Sequence, residues 1–99
     1  MTVRAGAFSA THTDTATGTS ADFQAPSGVP DKRFAYLVTF DVDAHLHRTD
    51  TGGSATAAVM SDMFVPAKTP TLVNLFAGEW LSWVSDTADG NIWITLVDH

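Results

Sequence analysis

The stretch FAYLVTFDVDAHLH, residues 34–47, decides the fold. Its even positions read Phe34, Tyr36, Val38, Phe40, Val42, Ala44 and Leu46, all apolar. Its odd positions pass from Ala35 and Leu37 to Thr39, Asp41, Asp43, His45 and His47. Seven consecutive apolar matches to a period of two predict a β-strand, because successive side chains of a strand point to opposite faces. The first half reads as covered on both faces, the second half as wet on one.

Working outward, RTDTGGS (48–54) is a turn cluster around Gly52 and Gly53. SATAAVMSDMFVPAKTP (54–70) predicts one or two strands and then a loop, since Pro66 and Pro70 exclude a helix of useful length. TLVNLF (71–76) and WLSWVS (80–85) are short strands. DTADGN (86–91) predicts a hairpin, with Asp89-Gly90 supplying the positive φ of a tight turn. NIWITLV (91–97) is a last strand carrying Ile92, Ile94 and Leu96 on one face. Upstream, ADFQAPSGVPDK (21–32) is a loop. From Thr11 to Thr19 every second residue is Thr, which leaves almost nothing to bury. The segment reads as a flexible arm, or as an arm that becomes a strand against a neighbouring subunit, since β-branched Thr favours extended backbone. No stretch free of Gly and Pro carries apolar residues at helical spacing over eleven positions. The expected fold is all-β: a single small jelly-roll-like β-sandwich at 21–99 of six to eight strands, with an extended N-terminal arm at 1–20.

Composition narrows the function. Ninety-nine residues, 44% of them apolar and 16% charged, fit one globular domain and not a disordered chain. Five Lys plus Arg against eleven Asp plus Glu give a net charge of −6, which disfavours nucleic acid, a partner that demands a basic patch. Without Cys there is no disulfide framework and no thiolate nucleophile. The N-terminal residues lack the apolar core of a signal peptide, and no run approaches a membrane span. The expectation is a chain made in a cytoplasm, with no membrane partner.

The candidate chemistry is thin. His45 and His47, one residue apart, put two imidazoles on one strand face about 7 Å apart, close enough to share a metal with Asp43 as a third ligand. Small cupin barrels use such a pair, but follow it with Glu and a further His; here Asp50 stands in that place and only His99 comes later. The preferred reading is therefore a solvated or interface face, with a cupin-like metal site as the alternative. Ser, His and Asp are all present, yet no glycine-flanked serine marks a nucleophile elbow. No catalytic residue, cofactor or resident metal is expected, and the chain is read as a non-enzyme. Trp80, Trp83 and Trp93 are the large anchors. In a regular strand Trp80 and Trp83 point to opposite faces, and Trp93 faces away from Ile92 and Ile94. Such rings pack a core or a subunit contact, or stack on a sugar in a carbohydrate-binding sandwich.

The C-terminal VPAKTPTLVNLFAGEWLSWVSDTADGNIWITL (65–96), preceded by FDVDAHL and the Ala/Thr-rich SATAAVMSDMFVPA, resembles small virion proteins of tailed bacteriophages over residues 34–97. Its shared features are turn and strand patterns, not catalytic signatures. The resemblance implies a non-enzymatic capsid decoration (cement) protein, located in the virion. Such a protein would be a homotrimer seated on the major capsid protein of the head. A fibre- or spike-base adaptor is the alternative within that class. On this reading Trp80, Trp83 and Trp93, with Thr13, Thr15 and Thr17 of the arm, are the interface candidates.

Overall fold

The computed structural model describes residues 8–26, 33–49 and 55–97. They form eight strands: β1 (Phe8–Ala16), β2 (Ala21–Gln24), β3 (Arg33–Phe40), β4 (Ala44–Thr49), β5 (Met63–Val65), β6 (Thr71–Phe76), β7 (Trp80–Ser85) and β8 (Gly90–Val97). Two four-stranded sheets result, β1-β8-β3-β6 and β2-β7-β4-β5, antiparallel throughout. The pairings β1–β8, β2–β7, β3–β6 and β4–β5 nest inside one another, each roughly symmetric about Gly52-Gly53. The chain is thus one long hairpin rolled into two layers, which is the jelly roll.

Between the layers, Tyr36, Val38, Phe40, Leu75, Ile92 and Ile94 of the first sheet meet Leu46, Val65, Leu81 and Trp83 of the second. Each fully buried aliphatic or aromatic side chain contributes about 1.5–3 kcal/mol before entropy is counted. This apolar filling holds the two sheets together.

Residues 34–47 are not one strand. The chain leaves the first sheet at Phe40 and enters the second at Ala44. The corner is held by reciprocal bonds: Asp41 N–H donates to Asn91 C=O (3.1 Å), and Asn91 N–H donates to Asp41 Oδ1 (2.6 Å). Asp43 accepts from Asp86 N–H with its carbonyl (2.9 Å) and from Ala67 N–H with Oδ1 (2.8 Å). The alternation runs unbroken through this corner because the even residues of both strands face the same core.

The hairpin expected at 86–91 is a crossing between layers, since β7 and β8 lie in different sheets. Gly90 carries no positive φ; among the described residues that conformation belongs to Gly78 (84°) and Lys68 (60°). Gly90 is required by space: a Cβ there would lie 2.6 Å from a Val42 methyl and closer still to the Asp41 carboxylate. Of the stretch 55–65, only Met63–Val65 is strand.

The Thr-rich segment is not an arm over residues 8–16. It is β1, paired with β8 of its own chain from Thr11↔Thr95 to Ala16↔Gly90. Its outward Thr11, Thr13 and Thr15 alternate with His12, Asp14 and buried Ala16, an inner face with too little apolar content to announce a strand. The sandwich therefore begins before residue 21, and the rest of the expected arm, residues 1–7, lies outside the described residues. No helix of the described residues is long and apolar enough to cross a membrane.

Candidate functional site: a histidine clamp and an apolar edge

On β4, Ala44 and Leu46 enter the core, so His45 and His47 project from the opposite face of the second sheet. At His45 that face is roofed, while Asp43 stays exposed and His47 half-buried. Phe64 sits opposite His45 in the β4–β5 ladder, its ring 5.5 Å from the imidazole, and the turn Val59–Asp62 closes over it. His45 is 6% exposed, which corrects the expected solvated face.

Its ring Nε2 lies 2.7 Å from Asp86 Oδ1 and its Nδ1 3.2 Å from the Asp62 carbonyl. Both neighbours are acceptors, so the imidazolium satisfies both contacts and the neutral ring only one of them. The hydrogen bond to Asp86 raises the His45 pKa above its ordinary value; burial opposes the shift, and the Asp62 carbonyl reinforces it. His47 Nδ1 donates to Asp62 Oδ1 (3.2 Å), while Asp62 Oδ2 accepts from Val59 N–H (2.8 Å). The Val59 N–H, against some desolvation and with His47 assisting, holds the Asp62 carboxyl below its usual range. Ala58 N–H on Ser20 Oγ and Thr56 N–H on Thr49 Oγ1, each 2.9 Å, pin the same segment. The histidines are a clamp joining β4 to the 55–62 segment and to the β7–β8 crossing.

That geometry does not suit a metal. Both nitrogens of His45 are engaged, and the expected third ligand, Asp43, is tied to Ala67. Among the described residues no three His, Asp or Glu side chains converge as a metal site. Ser82, opposite His47 in the ladder, completes a Ser-His-Asp succession with Asp62. Its hydroxyl, however, is sealed from solvent and makes no hydrogen bond, so no substrate reaches it there.

The tryptophans separate. Trp83 is wholly buried, with its indole N–H on the Thr15 carbonyl at 2.9 Å, and is a core residue rather than a surface anchor. Trp80 is half-buried at the start of β7. Trp93 is 38% exposed on the outer face of the first sheet, between Thr13 and Thr39 in register. Thr13 lies on the same face, Thr15 lends its carbonyl to Trp83, and Thr17 lends its own to Ser85 N–H (2.8 Å). A cavity of about 260 Å³ lies between the layers, lined by His12, Phe23, Tyr36, Ile94 and Leu96 among others. Burial there pushes the Tyr36 phenol pKa up.

The largest feature went unread in the sequence. Val59, Met60, Met63 and Phe64 are 51–54% exposed, Leu72 59% and Phe76 43%. Phe64, beside His45, and the Val59–Met60 turn lie over the outer face of the second sheet, whereas Leu72 and Phe76, opposite in phase to buried Leu75, lie on the outer face of the first; β5 and β6 are edge strands of their sheets. The signal was available in VM and MF flanking a two-residue turn, and in Leu72 and Phe76 falling out of phase with buried Leu75. No family model matches this chain, and no curated protein or solved structure matches it either.

Proposed function

We propose that this chain is a non-enzymatic structural subunit of a tailed-phage virion: a capsid decoration protein that docks as a small oligomer, a trimer, on the major capsid protein of the assembled head. One observation carries the reading. Among the described residues seven large apolar side chains stand 38–59% exposed, six of them on or beside β5 and β6. Single exposed apolar residues are ordinary, but their concentration at the two edge strands, Val59, Met60 and Phe64 over the second sheet and Leu72 and Phe76 on the first, supports contact surfaces there. A polar, acidic jelly roll whose histidines serve as a clamp and whose serine is sealed supports assembly rather than catalysis.

The test is add-back. Heads are prepared from a phage deleted for this coding sequence, and the purified chain is supplied. Saturable co-sedimentation and increased resistance of the heads to heat are the expected results; heads that take up no chain overturn the reading. A second reading rests on Trp93, whose exposed ring flanked by hydroxyls suits a sugar face. Quenching of its fluorescence by soluble glycans would favour that one.

A further inference from the structure

The two layers part at the margin where β1 ends the first sheet and β2 ends the second. Near Ala16 and Ala21 the margin is latched, by the Trp83 indole N–H on the Thr15 carbonyl and Ser85 N–H on the Thr17 carbonyl. Toward His12 and Gln24 it opens into the cavity of about 260 Å³. Inward-facing residues of three strands wall it on one side. His12 of β1 stands in register with Ile94 of β8, and Tyr36 of β3 with Leu96. Phe23 of β2 faces them from the second sheet.

The rings of this wall are set to receive another ring. Phe23 meets Tyr36 edge-on, with centroids 5.2 Å apart and planes at 80°, and His12 lies 5.1 Å from Phe23 at 39°. Aromatic groups favour such edge and offset approaches at about 4.5–7 Å between centroids. One polar group interrupts the apolar lining. Tyr36 is 3% exposed, and its phenol Oη makes no hydrogen bond to any other described residue, although buried hydroxyls usually find a partner. Among the described residues the sealed, unbonded side-chain atom is Ser82 Oγ; Tyr36 Oη is unbonded without being sealed, so it looks into the cavity. Burial raises its pKa above 10.0, which keeps it a neutral O–H that can donate or accept. Gln24 Nε2 is already taken by the Gly78 carbonyl (3.2 Å). An ordered water, which takes about three hydrogen bonds when buried, is poorly served by one free hydroxyl.

We infer that this cavity is a binding site for a small neutral aromatic molecule carrying one hydroxyl or carbonyl group, its ring held among Phe23, Tyr36 and Leu96 and its polar group bonded to Tyr36 Oη. The site goes beyond the decoration reading and does not depend on it. Size sets the scale of the ligand: an apolar cavity of about 150 Å³ takes up benzene, so this one accommodates a ring with a short substituent. Chemistry sets its charge. No Lys, Arg, Asp or Glu lines the cavity, and a charged group placed there would lose its hydration without a counter-ion. An anion would also meet the Asp14 carboxylate, which stands 3.8 Å from the His12 ring at the same margin. The bound ring would touch both sheets, so occupancy stabilises the open end of the margin by mass action.

Proton–nitrogen NMR of the full chain, titrated with 4-ethylphenol and separately with ethylbenzene, tests this. Saturable shifts are expected with both, centred on the amides of His12, Phe23, Tyr36 and Leu96. 4-Ethylphenol should bind the tighter by about fivefold, the worth of one net hydrogen bond. Tyr36→Phe keeps the ring and removes the hydroxyl. It should bring 4-ethylphenol down to the affinity of ethylbenzene and leave ethylbenzene unchanged. Leu96→Trp, at a half-buried position, fills the cavity and should abolish binding of both in a chain that circular dichroism shows to be folded. The Tyr36→Phe comparison decides the matter without it if that variant does not fold. Titrations without saturable shifts, or with shifts centred on Phe64, Leu72 or Phe76, overturn the site. Unchanged 4-ethylphenol affinity in Tyr36→Phe overturns the assignment of the ligand's polar group to Tyr36.

Discussion

The indole N–H of Trp83 donates to the carbonyl of Thr15 across the two layers, at 2.9 Å. Two residues on, Ser85 N–H donates to Thr17 C=O at 2.8 Å. Together they latch the end of β1 in the first sheet to β7 in the second, so the Thr-rich segment is built into the sandwich. Deleting residues 8–16 is expected to abolish cooperative urea unfolding, because it exposes β8 and the core beneath it. Trp83→Phe keeps most of the packing but leaves the Thr15 carbonyl without its donor. It should cost about 1–3 kcal/mol, read from the urea midpoint. A deletion variant that unfolds like the full chain would return β1 to the status of an arm.

Gly90→Ala should destabilise by about 1–3 kcal/mol, as overpacking does in a tight site. The added methyl meets Val42 and Asp41 at the layer-crossing corner, and moving either strains the Asp41–Asn91 bonds. Gly18→Ala is the control: nothing lies within 4 Å of a Cβ there, and the change should stay within about 0.5 kcal/mol. Equal effects at the two sites would mean that the corner is not closely packed.

His45 sets a pH dependence with a definite sign. Its pKa is raised on folding above 6.5, so its stabilisation is complete below that value and is lost as pH rises through the folded pKa. Asp62 is lowered below 3.8; its contribution is present above that value and is lost as pH falls through the folded pKa. His45→Gln should therefore cost about 1.5–3 kcal/mol in mildly acidic buffer, the worth of hydrogen bonds to a charged group. The gap between wild type and variant should narrow in alkaline buffer. Urea midpoints collected from pH 5 to 9 would show this; a gap that does not vary with pH would mean that folding leaves the His45 pKa unchanged.

The all-β character was legible because seven alternating apolar residues leave no other periodicity open, and Ile92 and Ile94 packed as strand residues should. The layer crossings were not. A corner such as Asp41–Asp43 conserves the alternation, and the bonds that make it come from Asn91, Asp86 and Ala67, far along the chain. β1 was hidden because its inner face is His12, Asp14 and Ala16, so its strand character depends on β8 rather than on its own residues. The burial of His45 was likewise unreadable: the roof over it is a turn whose position only the folded chain defines. The apolar residues of β6 differ: the phase of Leu72 and Phe76 against Leu75 was readable, and it sets them on the outer face of the first sheet.

The central claim is that this chain decorates a phage head. Particles of a phage whose genome carries the coding sequence are to be purified, their heads and tails separated, and the chain quantified against the major capsid protein in each fraction. The account predicts the chain in the head fraction, at a fixed stoichiometric ratio to the capsid protein. Its absence from purified particles, or confinement to the tail fraction at a few copies, would contradict the account.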